Sequence, residues 1–330
     1  MRIGRLLGHY WQFARHYPLS GSLFVAAFGV GVLLSSVAIP VIYKMVIDTI
    51  EGAVRDSGPP VVDQLVYVFI LYALAVITAQ ICWRLGDFAI SYFESNVLRD
   101  LANYAFKGLA KHSYGFFSNQ FAGALIVRAR RFVDGFERIT DYIAFELCMH
   151  GLELIAAFAV LFWFSKTLSF VYLFWLSIYV VIMILLIRRQ TPKNIAAADA
   201  NSATGARLAD VIGNVLTMKV FSAFAYEMSA YEERTSTEER LRRRAWWGQN
   251  FSYLAQGILM AIFEIVSLGI ALYLWVDGSV TAGTIVLMQL YLSNVGGTVR
   301  AIGRSTTKIL QTVSDAQEMV DILELAPDVP

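Results

Sequence analysis

Six stretches of this chain are each long and apolar enough to cross a lipid bilayer, and that excludes most other folds. A bilayer core takes about 20 consecutive apolar residues of helix. The qualifying stretches run Gly21–Ile47, Val62–Trp83, Ile143–Ser165, Leu168–Ile187, Phe251–Trp275 and Ala282–Val299. Trp83, Trp163 and Trp275 fall at expected span ends, where amphipathic rings favour the headgroup zone. The composition agrees. Apolar residues make up 57% and charged residues 16% of the 330, against about 45–50% and 25% in a soluble domain. A net charge of +1 leaves no overall field to recruit nucleic acid.

The first 17 residues mix Arg2, Arg5, Arg15 and His16 with Trp11 and Phe13. The apolar run that follows is too long for the core of a secretory signal. Residues 1–17 read as an amphipathic helix lying on the membrane surface, with Leu6, Leu7, Tyr10 and Phe13 on one side, rather than as a disordered leader. Of the 27 lysines and arginines, all but Lys44, Arg55 and Lys166 fall on one side of the spans. Positive charge collects on the cytoplasmic side, so both termini and both long loops are expected there. The two cysteines, Cys82 and Cys148, form no CxxC pair, zinc spacing or disulfide framework and read as buried or lipid-facing thiols.

The long loops read as helix. Arg84 to Asp141 holds no proline, and Leu98, Leu101, Ala102, Ala105 and Leu109 share a face. Glu238 and Glu239 each precede an arginine by four, the order that supports a solvated helix face. A helix from Val61 to about His112 would be ~75 Å long, while the bilayer core takes only ~30 Å. Paired stalks should therefore project into the cytoplasm and reverse at their tips. One reversal falls at Ser113–Phe117, followed by Ser118, Asn119, Gln120 and Gly123. The other spans Val215–Ala223. Tyr114, Phe116 and Phe117 on the first tip, and Leu216, Val220 and Phe221 on the second, are apolar where a solvated turn would be polar. They either dock on a partner or pack between the stalks.

Ionisable groups at membrane depth are costly and point to function by default. Glu264 lies in the middle of the fifth span, as a cavity residue for a cationic substrate or a proton, or as a helix–helix hydrogen bond. Glu146, His150 and Glu153 share one face of the third span. Cavity lining, interfacial solvation and a metal site with three visible ligands are all compatible with them, and no metal is expected. Gln289, Tyr291, Asn294 and Gly296–Gly297 form a polar stretch in the sixth span, followed by Arg300 and Arg304. No residue set for catalysis is recognisable.

Four sets of residues together resemble the transmembrane domain of an ATP-binding-cassette (ABC) exporter, the six-helix half-transporter found in bacterial multidrug, lipid and peptide exporters. They are Pro40 with Ile47–Asp48; Ser113, Phe116–Phe117, Gly123, Leu125, Arg128 and Asp134; Val215, Thr217, Lys219, Val220 and Phe221 with Glu227; and Gly278, Thr281 and Gly283 with Ala316, Ile322–Leu323–Glu324 and Pro327. The resemblance implies an all-α integral membrane fold. Its parts would be an interfacial elbow helix at 1–17, a six-helix domain at 18–323 and the start of a linker at 324–330. It also implies that Ser113, Tyr114, Phe116 and Phe117 form one coupling helix, and Leu216, Thr217, Lys219, Val220 and Phe221 a second. Glu264, Glu146, His150, Glu153, Gln289, Asn294 and Arg300 become candidates for the substrate cavity. The family works as a dimer in the bacterial inner membrane, driven by nucleotide-binding domains that hold ATP and magnesium. This sequence contains no GxxxxGK[ST] loop. The chain alone is therefore expected not to be an ATPase, and its ending points to truncation rather than to an ATPase on a separate polypeptide. A stand-alone channel or secondary transporter and a non-transporting scaffold are the rival readings.

Overall fold

The computed structural model describes residues 2–55, 61–118 and 122–325, without the side chains of residues 2, 3, 54, 55, 61, 122, 294, 296, 300–308 and 310. All regular structure among the described residues is helical. After α1 (Arg2–Ala14), the first span is built in series from α2 (Pro18–Leu33), a π-helical stretch (Leu34–Ala38) and α3 (Ile39–Arg55). Pro18 opens α2, where its missing N–H costs nothing. α4 (Val61–Leu109) ends in the turn before α5 (Tyr114–Ser118). A second composite helix joins α6 (Ala122–Asp141), a π-helical stretch (Tyr142–Met149) and α7 (His150–Phe164). Then come α8 (Lys166–Gly213), the short α9 (Val215–Val220), α10 (Phe224–Val276) and α11 (Ala282–Leu323).

Five helical runs among the described residues are long and apolar enough to cross a membrane: Pro18–Ala53, Val62–Leu109, Gly123–Phe164, Lys166–Gly213 and Phe224–Val276. The sixth expected span opens α11, several of whose side chains lie outside the described residues. Helices suit this setting because they satisfy every backbone N–H and C=O within one segment. α4, with 49 residues, is about 75 Å long, and α10, with 53, about 80 Å. Both outrun a bilayer core, as the arithmetic on Val61–His112 requires. The turn residues Asn119 and Gln120, and the linker residues from 326 on, lie outside the described residues.

The chain divides into two compact units, residues 1–173 with 267–330, and residues 174–266. In the first unit α4 runs back along α2. Gly21 faces Phe93, Gly31 faces Trp83, and Phe28 lies where a side chain on Gly86 would sit. Trp83, at the expected end of its span, is half-buried against α2. Its ring packs on Gly31 and its Nε1–H donates to Ser35 Oγ at 3.4 Å. α6 runs antiparallel to α11 and is joined to it by Arg128–Glu318 at 2.9 Å and Arg131–Asp315 at 3.7 Å. The core of this unit gathers Leu6 and Tyr10 of α1, Phe28 of α2, Val97 and Leu101 of α4, Phe132 of α6 and Val320 of α11. The buried Tyr10 hydroxyl donates to the Phe132 carbonyl at 2.6 Å. Burial pushes its pKa up, so it stays a neutral donor. Arg5 pairs with Glu324 at 2.5 Å and Asp321 at 3.8 Å, tying the start of the chain to the end of α11.

In the second unit α8 and α10 form an antiparallel pair. Trp175 stacks on Phe263 with centroids 4.9 Å apart, Gln190 donates to the Ala245 carbonyl at 2.7 Å, Arg242 donates to Asn201 at 3.0 Å, and Arg207 pairs with Glu227. The expected same-helix pairs also form, Glu238 with Arg242 and Glu239 with Arg243. α8 runs on through Pro192, although that residue supplies no N–H.

Two helix ends use the same reversal. At the end of α10, Gly278 has φ 78°, its N–H binds the Trp275 carbonyl and that of Ser279 binds Leu274. At the end of α9, Ser222 has φ 52°, its N–H binds Lys219 and that of Ala223 binds Met218. This closing motif favours glycine at the left-handed position, where another residue costs roughly 1–2 kcal/mol. Ser222→Gly is expected to raise stability by up to ~1 kcal/mol and Gly278→Ala to lower it by about as much. Thermal unfolding in detergent would show opposite shifts. Equal midpoints for both variants would remove strain from the account.

Candidate functional site

The polar groups of the first unit converge where the second composite helix meets α11. Glu146 lies on the π-helical stretch and His150 opens α7, one turn on. His150 Nε2 sits 3.7 Å from Glu146 Oε2, and its Nδ1 sits 3.3 Å from Glu153 Oε2. Thr298 of α11 donates to the same Glu153 oxygen at 3.4 Å. The ring thus bridges two carboxylates, the second of which is tied to the neighbouring helix. Beside this row opens a hollow of about 670 Å³, lined by Arg138, Asp141, Tyr142 and Glu146 on one side and by Gln311, Thr312 and Asp315 on the other. Such a wall can hold the cationic or hydrogen-bonding part of an amphipathic molecule. Among the described residues, no group of three His, Cys, Asp or Glu is arranged to hold a metal ion.

Gln289 is half-buried on α11. The side chains of Asn294, Gly296, Arg300 and Arg304 lie outside the described residues. Glu264 belongs to the second unit, where it is exposed on α10, and it has no hydrogen bond or ion pair among the described residues. Among the described residues, the helix–helix hydrogen bond considered for it does not form.

Sequence reasoning did not find the contacts of the first π-helical stretch. Tyr291, buried on α11, donates to the Ser36 carbonyl at 2.8 Å. A π-turn carries one extra residue and interrupts the regular ladder, and here a tyrosine occupies the interrupted position. Tyr172 is fully buried, and among the described residues its hydroxyl has no hydrogen-bond partner. No local pattern marks either role.

At the far end of the first span, α3 caps α11. The Ala282 N–H donates to Glu51 Oε2 at 2.9 Å and the Gly283 N–H to Asp48 Oδ1 at 3.1 Å. Trp275 Nε1–H donates to the other Glu51 oxygen at 3.1 Å. Two carboxylates thus face the positive end of the α11 dipole and satisfy its orphan donors. Lys44 pairs with Asp48 and lies 4.5 Å from the centroid of the Phe164 ring. The Asp48 and Gly283 motifs, far apart in sequence, are two halves of this one contact.

The two reversals differ in what they present. On α5, Tyr114 is 87% exposed and Phe117 is also exposed. Phe116 packs internally, one of the two outcomes expected for this tip. It turns inward and stacks on the buried His112 with centroids 4.2 Å apart, because the short helix leaves that side against the core. Ser113 precedes α5, and its carbonyl accepts from the Phe116 N–H at 3.1 Å. On and just beyond α9, Leu216, Val220 and Phe221 are 73%, 69% and 76% exposed, with Thr217 and Lys219 exposed among them.

The family model described as the ABC transporter transmembrane region matches residues 22–299. The chain is 20% identical over 298 residues to ABC transporter B family member 6 of Dictyostelium discoideum, covering 90% of this chain and 42% of that protein. It is 22% identical over 292 residues to antigen peptide transporter 2 of Mus musculus, covering 86% of this chain and 40% of that protein. The chain therefore spans about two fifths of the length of these curated relatives. With all-helical spans, two stalk reversals and a match over most of its length, this multi-pass membrane protein belongs to the ABC transporter transmembrane region family.

Proposed function

We propose that the chain is the substrate-translocating part of an ATP-driven exporter. It works with a second half-transporter, a second copy of itself in the simplest case, and moves an amphipathic or hydrophobic compound out of the cytoplasm by alternating access. The observation that carries this reading is the cluster of exposed Leu216, Val220 and Phe221 where the paired α8 and α10 reverse. Apolar side chains grouped at a solvated tip mark a surface that a partner covers. The charge asymmetry supports a cytoplasmic position for both tips and both termini in a bacterial inner membrane.

The residues of this chain do not fit a nucleotide site, since the sequence holds no GxxxxGK[ST] loop. ATP and magnesium belong to nucleotide-binding domains gripped by α5 and α9. This chain contributes rigid rods with greasy ends, the polar wall of His150, Glu146 and Glu153, and two π-helical stretches where a helix can yield. One relative's name concerns antigen peptides, which supports peptides as one substrate class beside drugs and lipids.

The test is transport of an amphipathic cationic dye by the full-length protein in proteoliposomes. Flux should require ATP. His150→Ala should raise the half-saturating dye concentration roughly 5–10-fold, the effect of one lost hydrogen bond of about 1–1.5 kcal/mol, with basal ATP hydrolysis retained. Equal flux with and without ATP would overturn the exporter reading in favour of a channel.

A further inference from the structure

A second hollow of the first unit has the opposite character. It measures about 590 Å³ and lies between α1, α2, α4 and the second composite helix. Trp11, Val25, Phe28, Phe93, Ile143 and Cys148 are among its walls. The Tyr10 hydroxyl beside it is already committed to the Phe132 carbonyl, which leaves Thr140 as a polar side chain of the lining. Water needs two to four polar partners to occupy such a space, and this lining does not provide them. An empty space would forfeit dispersion contacts along every wall. Hydrocarbon is the filling that suits it.

The position decides which hydrocarbon. The α2 lining runs from Phe24 to Val32, about 12 Å of helix. It starts just inside the expected membrane edge at Gly21. Half of a bilayer core is ~15 Å, so the hollow matches the depth of one leaflet. Trp11, Val25, Ile143 and Cys148 are exposed as well as lining, so the space opens to its surroundings. Arg15 follows Trp11 by one helical turn, is exposed, and has no carboxylate partner among the described residues. Arg5, on α1, is already paired with Glu324.

We infer that this hollow is a lipid site, which takes one acyl chain of an anionic phospholipid from the cytoplasmic leaflet and holds its phosphate at Arg15. The site is separate from the polar wall around His150, and its existence does not depend on the exporter reading. Occupancy would wedge α1, and through Arg5 the end of α11, against the α2–α4 pair.

The full-length protein in phosphatidylcholine nanodiscs, supplemented with a phosphatidylglycerol carrying a diazirine on its acyl chain, provides the test. Peptide mapping after photolysis should place adducts within residues 139–152. Gly29 lines the hollow, and a Cβ there would meet nothing within 4 Å. Gly29→Phe should fill the space without disturbing the fold, keep its thermal midpoint and lose at least nine-tenths of the adduct. Arg15→Gln should reduce adduct formation by the phosphatidylglycerol probe at least threefold and leave a matching phosphatidylcholine probe unchanged. In a Cys82→Ala background, alkylation of Cys148 should slow as phosphatidylglycerol is added. Undiminished adducts in Gly29→Phe would overturn the cavity assignment, and equal labelling by the two probes would overturn the role of Arg15.

Discussion

Leu216→Asp combined with Phe221→Asp, introduced into the assembled transporter, is expected to cut ATP-dependent transport at least tenfold while the protein folds and inserts as before. Both side chains are about three-quarters exposed, so replacing them removes little internal packing. On a docking surface the same change buries two carboxylates against apolar partners. Interface anchors typically cost 2 kcal/mol or more when truncated, and each 1.4 kcal/mol is a factor of ten. Transport should fall much more than basal ATP hydrolysis, because the tip transmits displacement and does no chemistry. Unchanged transport per ATP hydrolysed would detach α9 from coupling. Phe116→Ala is a poorer probe of the other tip, since it also breaks the stack on His112. Tyr114→Ala isolates exposure there.

Gly283→Ala carries the second large effect. A Cβ at this position would lie 2.3 Å from Asp48 Oδ1 and 2.5 Å from the Lys44 carbonyl oxygen. The second of these is backbone and cannot swing aside. Overpacking of this kind costs ~1–3 kcal/mol, and pushing Asp48 away also releases the Gly283 N–H it accepts from. The thermal midpoint should fall by several degrees and the yield of inserted protein should drop. Gly297→Ala, on the same helix with nothing within 4 Å of its Cβ, serves as the control and should be neutral or slightly stabilising. Equal midpoints for the two variants would show that the contact between α3 and α11 contributes nothing.

Local pattern carried much of the architecture. Hydropathy marked the spans, and the proline-free run after Trp83 marked the length of α4. The face shared by Glu146, His150 and Glu153 survived because a π-turn still stacks residues four apart. The rest depended on partners distant in sequence. That Trp83 packs on Gly31, 52 positions upstream, could not be read from the sequence around either residue. Phe116 and Phe117 look equivalent in the sequence, and only the position of His112 separates them. No residue in Leu34–Ala38 signals a π-turn by itself. It is held by Tyr291, some 250 positions downstream, and nothing local could reveal it.

That stretch sets the rotational phase of everything beyond it. The wide turn absorbs one extra residue, so winding Leu34–Ala38 into regular α-helix with every residue kept would swing α3 by about 100° about its axis relative to α2. Asp48 and Glu51 would leave the end of α11 together, and Tyr291 would lose its carbonyl. The irregular turn therefore works as an angular vernier: it lets the first span carry one residue more than a regular coil and still bring Asp48 and Glu51 to the end of α11.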